Sequence, residues 1–404
     1  MPAPQLSLFR LRDFRGLSAS VVLNSIGMMG ENVVLGWLTL TLTNSPLMVG
    51  VALGMRMLPL FFVGVPAGAL ADRLPRPRLL LATGAAQGLT AAMLGLLTLS
   101  GQVTLTQILL LTLLAGTVRA VEHAARQSYT HDVVGGATLV NGFAILGVMM
   151  RVGWLAGSLG TGYVIAHVGI GWAYMLVAAG FLLGGLALSR ASTLAPTVST
   201  DPGSLWRGVV EFLAAMRTDR TLLILMVLTA AAEILGFSHA VLLPSLARDV
   251  LQSGPEGLGV LNAARSVGGI LGLIVASLRG PIHGGGALFL AVLLTFGVTL
   301  MALAIAPFVV GFAGVVLMVT LVNAVGALAD LFAQSLLQLS VPRHLRGRAG
   351  GAWVVAIGLA PLGQLQIGAL ASAFGVSVGF AASGLALALL ALAVAVLAPR
   401  ARRV

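Results

Sequence analysis

Twelve apolar runs, each long enough to cross the roughly 30 Å hydrocarbon core of a bilayer as a helix, follow one another along this chain with short polar breaks between them. They lie at about 17–41, 46–71, 79–100, 104–125, 139–165 and 171–189, and again at 221–245, 257–278, 284–304, 307–330, 349–373 and 376–398. Composition agrees with a polytopic membrane protein, because 58% of the 404 residues are hydrophobic and only 9% are charged, whereas soluble domains carry about a quarter charged residues. An ordinary soluble domain is excluded. The 52 glycines fit helices that pack closely in lipid, where small residues let backbones approach. With no cysteine in the chain, disulfides, thiolate metal sites and cysteine nucleophiles are excluded as well.

The arginines test this count of runs, since basic residues gather in the connections on one side of a membrane. Of the 23 basic residues, all arginine, 18 fall in alternate connections, from Arg10, Arg12 and Arg15 before the first run to Arg400, Arg402 and Arg403 after the last. Only Arg248 lies in an opposite connection, and Arg56, Arg119, Arg151 and Arg265 fall inside the runs. The expectation is an even number of spans with both termini cytoplasmic. The net charge of +11 is spread over many short turns rather than one face, so it points to the cytoplasmic leaflet and its lipids and not to nucleic acid. The first sixteen residues lack a signal-peptide pattern, and the first run is expected to stay as an anchor.

The longest break, Arg190 to Arg220, opens with the polar, proline-bearing stretch STLAPTVSTDPGS. It divides the chain into a cytoplasmic segment at 1–16, a six-helix bundle at 17–189, a linker at 190–220, a second six-helix bundle at 221–398 and a basic tail at 399–404. Leu205, Val209, Leu213 and Met216 recur at helical spacing in the linker, as in an amphipathic helix on the membrane surface or a plain solvated one. The two halves echo each other, as parallel repeats do. Pro46, Gly50, Val51 and Arg56 recur as Pro255, Gly259, Val260 and Arg265, all shifted by 209, and Gln127-Ser128 recurs as Gln334-Ser335, shifted by 207.

The turn GALADRLPRPR, Gly68 to Arg78, sets charge abruptly between two apolar runs. With Gly68, Asp72, Arg73 and Arg76 in place it resembles the G-x-x-x-D-R-x-G-R-R loop between helices 2 and 3 of the major facilitator superfamily. Pro75 and Pro77 depart from that pattern, and Arg78 follows one place later. The resemblance implies an all-α membrane fold of twelve transmembrane helices, two six-helix bundles related by a pseudo-twofold axis. It also implies that Asp72 docks against the cytoplasmic end of helix 11 and holds the outward-open state. A merely solvated basic turn is the alternative.

A charge at mid-bilayer costs at least about 2.5 kcal/mol and calls for a partner, a water cavity or a task. Glu31 in helix 1, Arg56 in helix 2, Glu233 in helix 7 and Arg265 in helix 8 all fall at that depth. Helices 1 and 7 line the central cavity of the superfamily, so the resemblance makes these four residues candidates for proton coupling or substrate binding. Burial favours the neutral form of a carboxyl, which lets such a group take a proton from one side and release it to the other. Glu31 with Arg56, or Glu233 with Arg265, can instead simply neutralise each other. Arg119, Glu122 and His123 form a second cluster in helix 4, with Asp330 at the repeat position of His123, and are read together as an inner gate or a structural interface. Arg119 and Glu122, three apart, share a helix face.

From Ala124 the chain resembles the helix 4 to helix 5 region of the drug and siderophore exporters in that superfamily, with its A-R-Q start, a loop aspartate and an L-x-N opening of helix 5. Gly153, Gly157 and Gly160 add small residues for tight packing, while Gly153-Trp154 replaces the usual glycine-proline pair. The segment RHLRGR, Arg343 to Arg348, matches the loop before helix 11. His167 and His283 are expected in loops, and no metal-ligand spacing, phosphate loop or nucleophile turn occurs. No cofactor and no enzymatic chemistry are expected. The resemblance implies a monomeric multi-pass protein of the bacterial inner membrane that exports small amphipathic or lipophilic, drug-like molecules in exchange for protons by alternating access. Uptake or facilitated diffusion of a metabolite, and a non-transporting receptor or lipid-handling scaffold, stay open as alternatives.

Overall fold

The computed structural model describes residues 8–135, 138–191, 220–279, 285–340 and 356–398, without the side chains of Val65, Ala69, Asp72, Val140, Thr221, Arg279 and Leu339. Among these residues the chain is helical, with no strand. A 3-10 turn, Leu8–Arg10, precedes α1 (Arg12–Thr43). There follow α2 (Pro46–Arg73), α3 (Arg76–Leu99), α4 (Leu105–Val134), α5 (Leu139–His167), α6 (Ile170–Leu186) and α7 (Arg220–Ala231). The rest are α8 (Gly254–Arg279), α9 (Gly285–Val309), α10 (Gly311–Leu339), α11 (Ala360–Phe374) and α12 (Val376–Leu397). Ten of the described helical stretches are long and apolar enough to cross a membrane, and α6 is a shorter apolar helix.

Local chemistry sets several boundaries. Thr104 opens α4 with a capping box, its hydroxyl accepting from the Gln107 amide while the Gln107 side chain accepts from the Thr104 amide. Gly169 (φ 116°) and Gly375 (φ 93°) turn the chain between α5 and α6 and between α11 and α12, in a backbone region that side chains avoid. α4 runs past its apolar stretch to Val134, so Arg126 and Asp132, expected beyond the helix, are helical. α7 is not the continuous helix expected at 221–245. Beyond Ala231 it passes through a π turn (Ala232–Gly236) and a 3-10 stretch (Phe237–Leu242), then one α turn (Leu243–Ser245) and a second π turn (Leu246–Val250). Pro244 brings no N–H to this segment, and side chains take over carbonyls there: Ser238 Oγ donates to Glu233 O (3.1 Å) and His239 Nδ1 to Gly236 O (2.8 Å).

The chain divides into two compact units. One comprises Met1–Leu42, Met55–Pro202 and Gly254–Ala263, the other Thr43–Gly54, Gly203–Ser253 and Ala264–Val404. In the first unit α3 packs on α6 so closely that a Cβ on Gly84 would meet Gly185 Cα at 2.9 Å. In the second, Gly297 and Gly384 bring α9 and α12 together in the same way. The glycines of α5 divide by neighbour. Gly153 and Gly157 lie against the α1 carbonyls of Val22 and Ile26, but Gly160 has room, its nearest contact being Leu176 at 3.9 Å.

The repeat seen at Gly50 and Gly259 has a physical reason. In the first unit a Cβ on Gly259 would meet Ser158 O of α5 at 2.7 Å, and a Cβ on Gly162 would meet Pro255 O at 2.8 Å. In the second, Gly50 backs onto Gln364 O of α11. Each contact is closed at the helix ends by a polar bond. His167 Nδ1 lies 3.3 Å from Glu256 Oε1, and the Leu47 amide donates to Ser372 Oγ at 3.0 Å. His167, expected in a loop, is the last residue of α5, stacked on Tyr163 one turn earlier. The linker helix, His283 and the 343–348 loop lie outside the described residues.

Candidate functional site

In the first unit, α1 carries Met28, Glu31 and Asn32 at helical spacing, and Arg56 of α2 reaches all three. Its Nη2 donates to Glu31 Oε2 at 2.5 Å and to Met28 O at 3.3 Å, and its Nη1 donates to Asn32 Oδ1. Glu31 and Arg56 are 5% and 4% exposed, so the two charges neutralise each other inside the unit. α4 comes up beside them because Gly116 backs onto the Arg56 carbonyl. One turn on, the Arg119 guanidinium donates to Met28 Sδ. Glu122 does not pair with Arg119 three residues away but with Arg126 four residues on. His123, at the exposed edge, lies 3.1 Å from Gln127 Nε2.

In the last turns of α2, no described atom lies within 4 Å of a Cβ built on Gly68, and Arg73 is exposed. Arg76 opens α3 and forms an ion pair with Asp132 in the last turn of α4. This partner was hidden from the sequence, which placed Asp132 in a loop. The Asp72 side chain, and with it the expected dock on helix 11, lies outside the described residues.

In the second unit, Glu233 sits in the first π turn of the α7 segment and makes no ion pair with Arg265 among the described residues. The neutralisation that stood as the alternative to a coupling role is thus seen at Glu31 and, among the described residues, not at Glu233. Asp330 of α10 lies within electrostatic reach of Glu233, so a second acid shares its surroundings.

Sequence reasoning passed over His239 and Asn323. His239 is fully buried, and Asn323 Nδ2 of α10 lies 3.3 Å from its Nε2 and donates to Val319 O at 2.9 Å. Because the Gly236 carbonyl can only accept, Nδ1 carries the hydrogen and Nε2 accepts from Asn323, which fixes a neutral tautomer. Phe296 edges onto both Phe237 and His239. The one signal for this pair was a histidine inside an apolar run, between Gly236 and Pro244.

Comparison with known proteins gives the family. Residues 3–402 match the transmembrane secretion effector family. The chain is 29% identical to the multidrug efflux pump Tap of Mycolicibacterium fortuitum, over 92% of this chain and 91% of that protein. It is 23% identical to the staphyloferrin A transporter of Staphylococcus aureus, over 90% and 89% of the two. With the enterobactin exporter EntS of Shigella boydii it shares 28% identity, over 87% and 81%. Among solved structures the nucleoside transporter NupG superposes with a TM-score of 0.77 at 14% identity, over 94% of this chain and 97% of that one. A peptide transporter, POT, gives 0.78 at 14% identity, over 97% and 95%. The chain belongs to the transmembrane secretion effector family of the major facilitator superfamily, a family of multi-pass membrane transporters and not of enzymes.

Proposed function

We propose that this protein exports small amphipathic or lipophilic molecules across the bacterial inner membrane in exchange for protons, by alternating access with both termini in the cytoplasm. The observation that carries the coupling is the contrast between the two membrane acids. Glu31 is held by Arg56 and Asn32, whereas Glu233 stands in a π turn without an ion pair to Arg265. A π turn inside a helix is a common device at functional sites, and an acid there can alternate between protonated and ionised forms as the segment moves. Glu233 is therefore the proton carrier, Glu31 and Arg56 hold α1 to α2, and Arg76 with Asp132 belongs to the gate at the α2–α3 turn. The relatives named as a multidrug efflux pump and as an enterobactin exporter support the outward direction.

The test is efflux of a panel of fluorescent lipophilic compounds from energised cells, with and without a protonophore. Efflux that collapses with the gradient is expected. Gradient-independent equilibration in both directions would point to facilitated diffusion.

A further inference from the structure

We infer that the Arg119 region is an anion subsite and that the exported molecules include amphiphiles with a negatively charged head group; the inference rests on the export reading and names its substrate class. Three guanidiniums and two carboxylates gather where α1, α2 and α4 meet. Each carboxylate is already taken, Glu31 by Arg56 and Glu122 by Arg126. Arg119 is left over. Among the described residues its side-chain hydrogen bond goes to a thioether, Met28 Sδ.

That is poor satisfaction for a group with five N–H donors, because a thioether is a weak acceptor. An arginine inside a membrane-spanning helix needs a partner, a water cavity or a task, and among the described residues the two carboxylates near it, Glu31 and Glu122, are each bonded to another guanidinium. The geometry indicates where an anion would sit. Arg56 Nη2 donates to the Met28 carbonyl and Arg119 donates to the Met28 sulfur, so two guanidiniums converge on one residue of α1. A planar or tetrahedral oxyanion displacing the sulfur gains charge-assisted, forked hydrogen bonds from Arg119. The Arg56–Glu31 pair stays intact beside it. Arg119 is half-buried whereas Arg56 is buried, so Arg119 is the more reachable of the two. A cationic head group, by contrast, would bring a fourth positive charge into a cluster that already carries a surplus of one.

The probes are three dansyl alkyl compounds of one chain length, ending in a sulfonate, a trimethylammonium or a neutral hydroxyl. Their binding to the full-length protein in nanodiscs is followed by dansyl fluorescence, and their transport is followed in proteoliposomes. Wild type is expected to bind the sulfonate at least tenfold tighter than the trimethylammonium compound. Arg119→Gln is expected to abolish that preference, and Arg119→Lys, a point charge without the fork, to keep part of it. Binding of the neutral probe reports that each variant is folded. Equal affinity of the wild type for the two charged probes would overturn the subsite, as would absence of sulfonate binding or an unaltered preference in folded Arg119→Gln. Transport of the trimethylammonium compound alone would also overturn it while leaving the export reading in place. If the sulfonate binds with the expected preference but no probe moves, the subsite stands and the export reading fails.

Discussion

Removing one partner of the Glu31–Arg56 pair leaves the other as an uncompensated charge inside the membrane-spanning unit. Glu31→Gln or Arg56→Gln should therefore each cost about 3–5 kcal/mol of stability, read as a lowered thermal midpoint of the purified protein. The double substitution should recover much of that loss, because no charge is then stranded; a double variant as unstable as the singles would mean that the pair is not what these groups satisfy. At His239 the expectation is smaller. Asn323→Leu leaves Nε2 buried without a donor and should cost about 1–3 kcal/mol, again measured by thermal unfolding. The charges at membrane depth were legible because a Glu or Arg inside an apolar run is conspicuous. Their partners were less so. Residues three and four apart share a helix face equally well, and Arg126, the base that Glu122 takes, stood beyond the apolar run that marked the end of helix 4. His239 carries no charge in its buried tautomer, and nothing in the linear sequence joins it to Asn323.

The spans of the helices followed from hydropathy, but the interruption of α7 did not, because Gly236, Ser238 and Pro244 are each tolerated in membrane helices and only together with His239 replace the regular backbone bonding. The matched contacts of α8 with α5 and of α2 with α11 were half legible: the repeat of Gly50 at Gly259 was visible, the carbonyls they lean on were not. On the alternating-access reading proposed above, α5 and the first turns of α8 are expected to part during transport. The chain has no native cysteine, so His167→Cys combined with Glu256→Cys gives a clean test. A short, reversible thiol cross-linker should arrest transport in the double variant and in neither single, and a reductant should restore it. Full transport with the cross-link in place would show that this clasp is static. Gly259→Leu, whose side chain has no room against Ser158 O, should separate α8 from α5 and lower transport more than it lowers the amount of folded protein in the membrane.

For the whole molecule, the count of apolar runs and the placement of the arginines were enough to reach a twelve-helix membrane fold, since both act over tens of residues and tolerate errors at the ends. Substrate and coupling depend on a few side chains from several helices, whose rotations a linear pattern does not give. The asymmetry between the units, an ion-paired acid in one and an acid without that pairing in the other, is the feature on which proton-coupled export stands or falls. The most direct measurement is proton movement in proteoliposomes carrying a trapped pH indicator, during substrate export down an imposed substrate gradient, for wild type and Glu233→Gln. Exchange at Glu233 predicts substrate-dependent counterflow of protons in the wild type and none in Glu233→Gln, although the variant still swaps labelled for unlabelled substrate. Equal proton counterflow in both proteins, or none in the wild type while substrate moves, would contradict it.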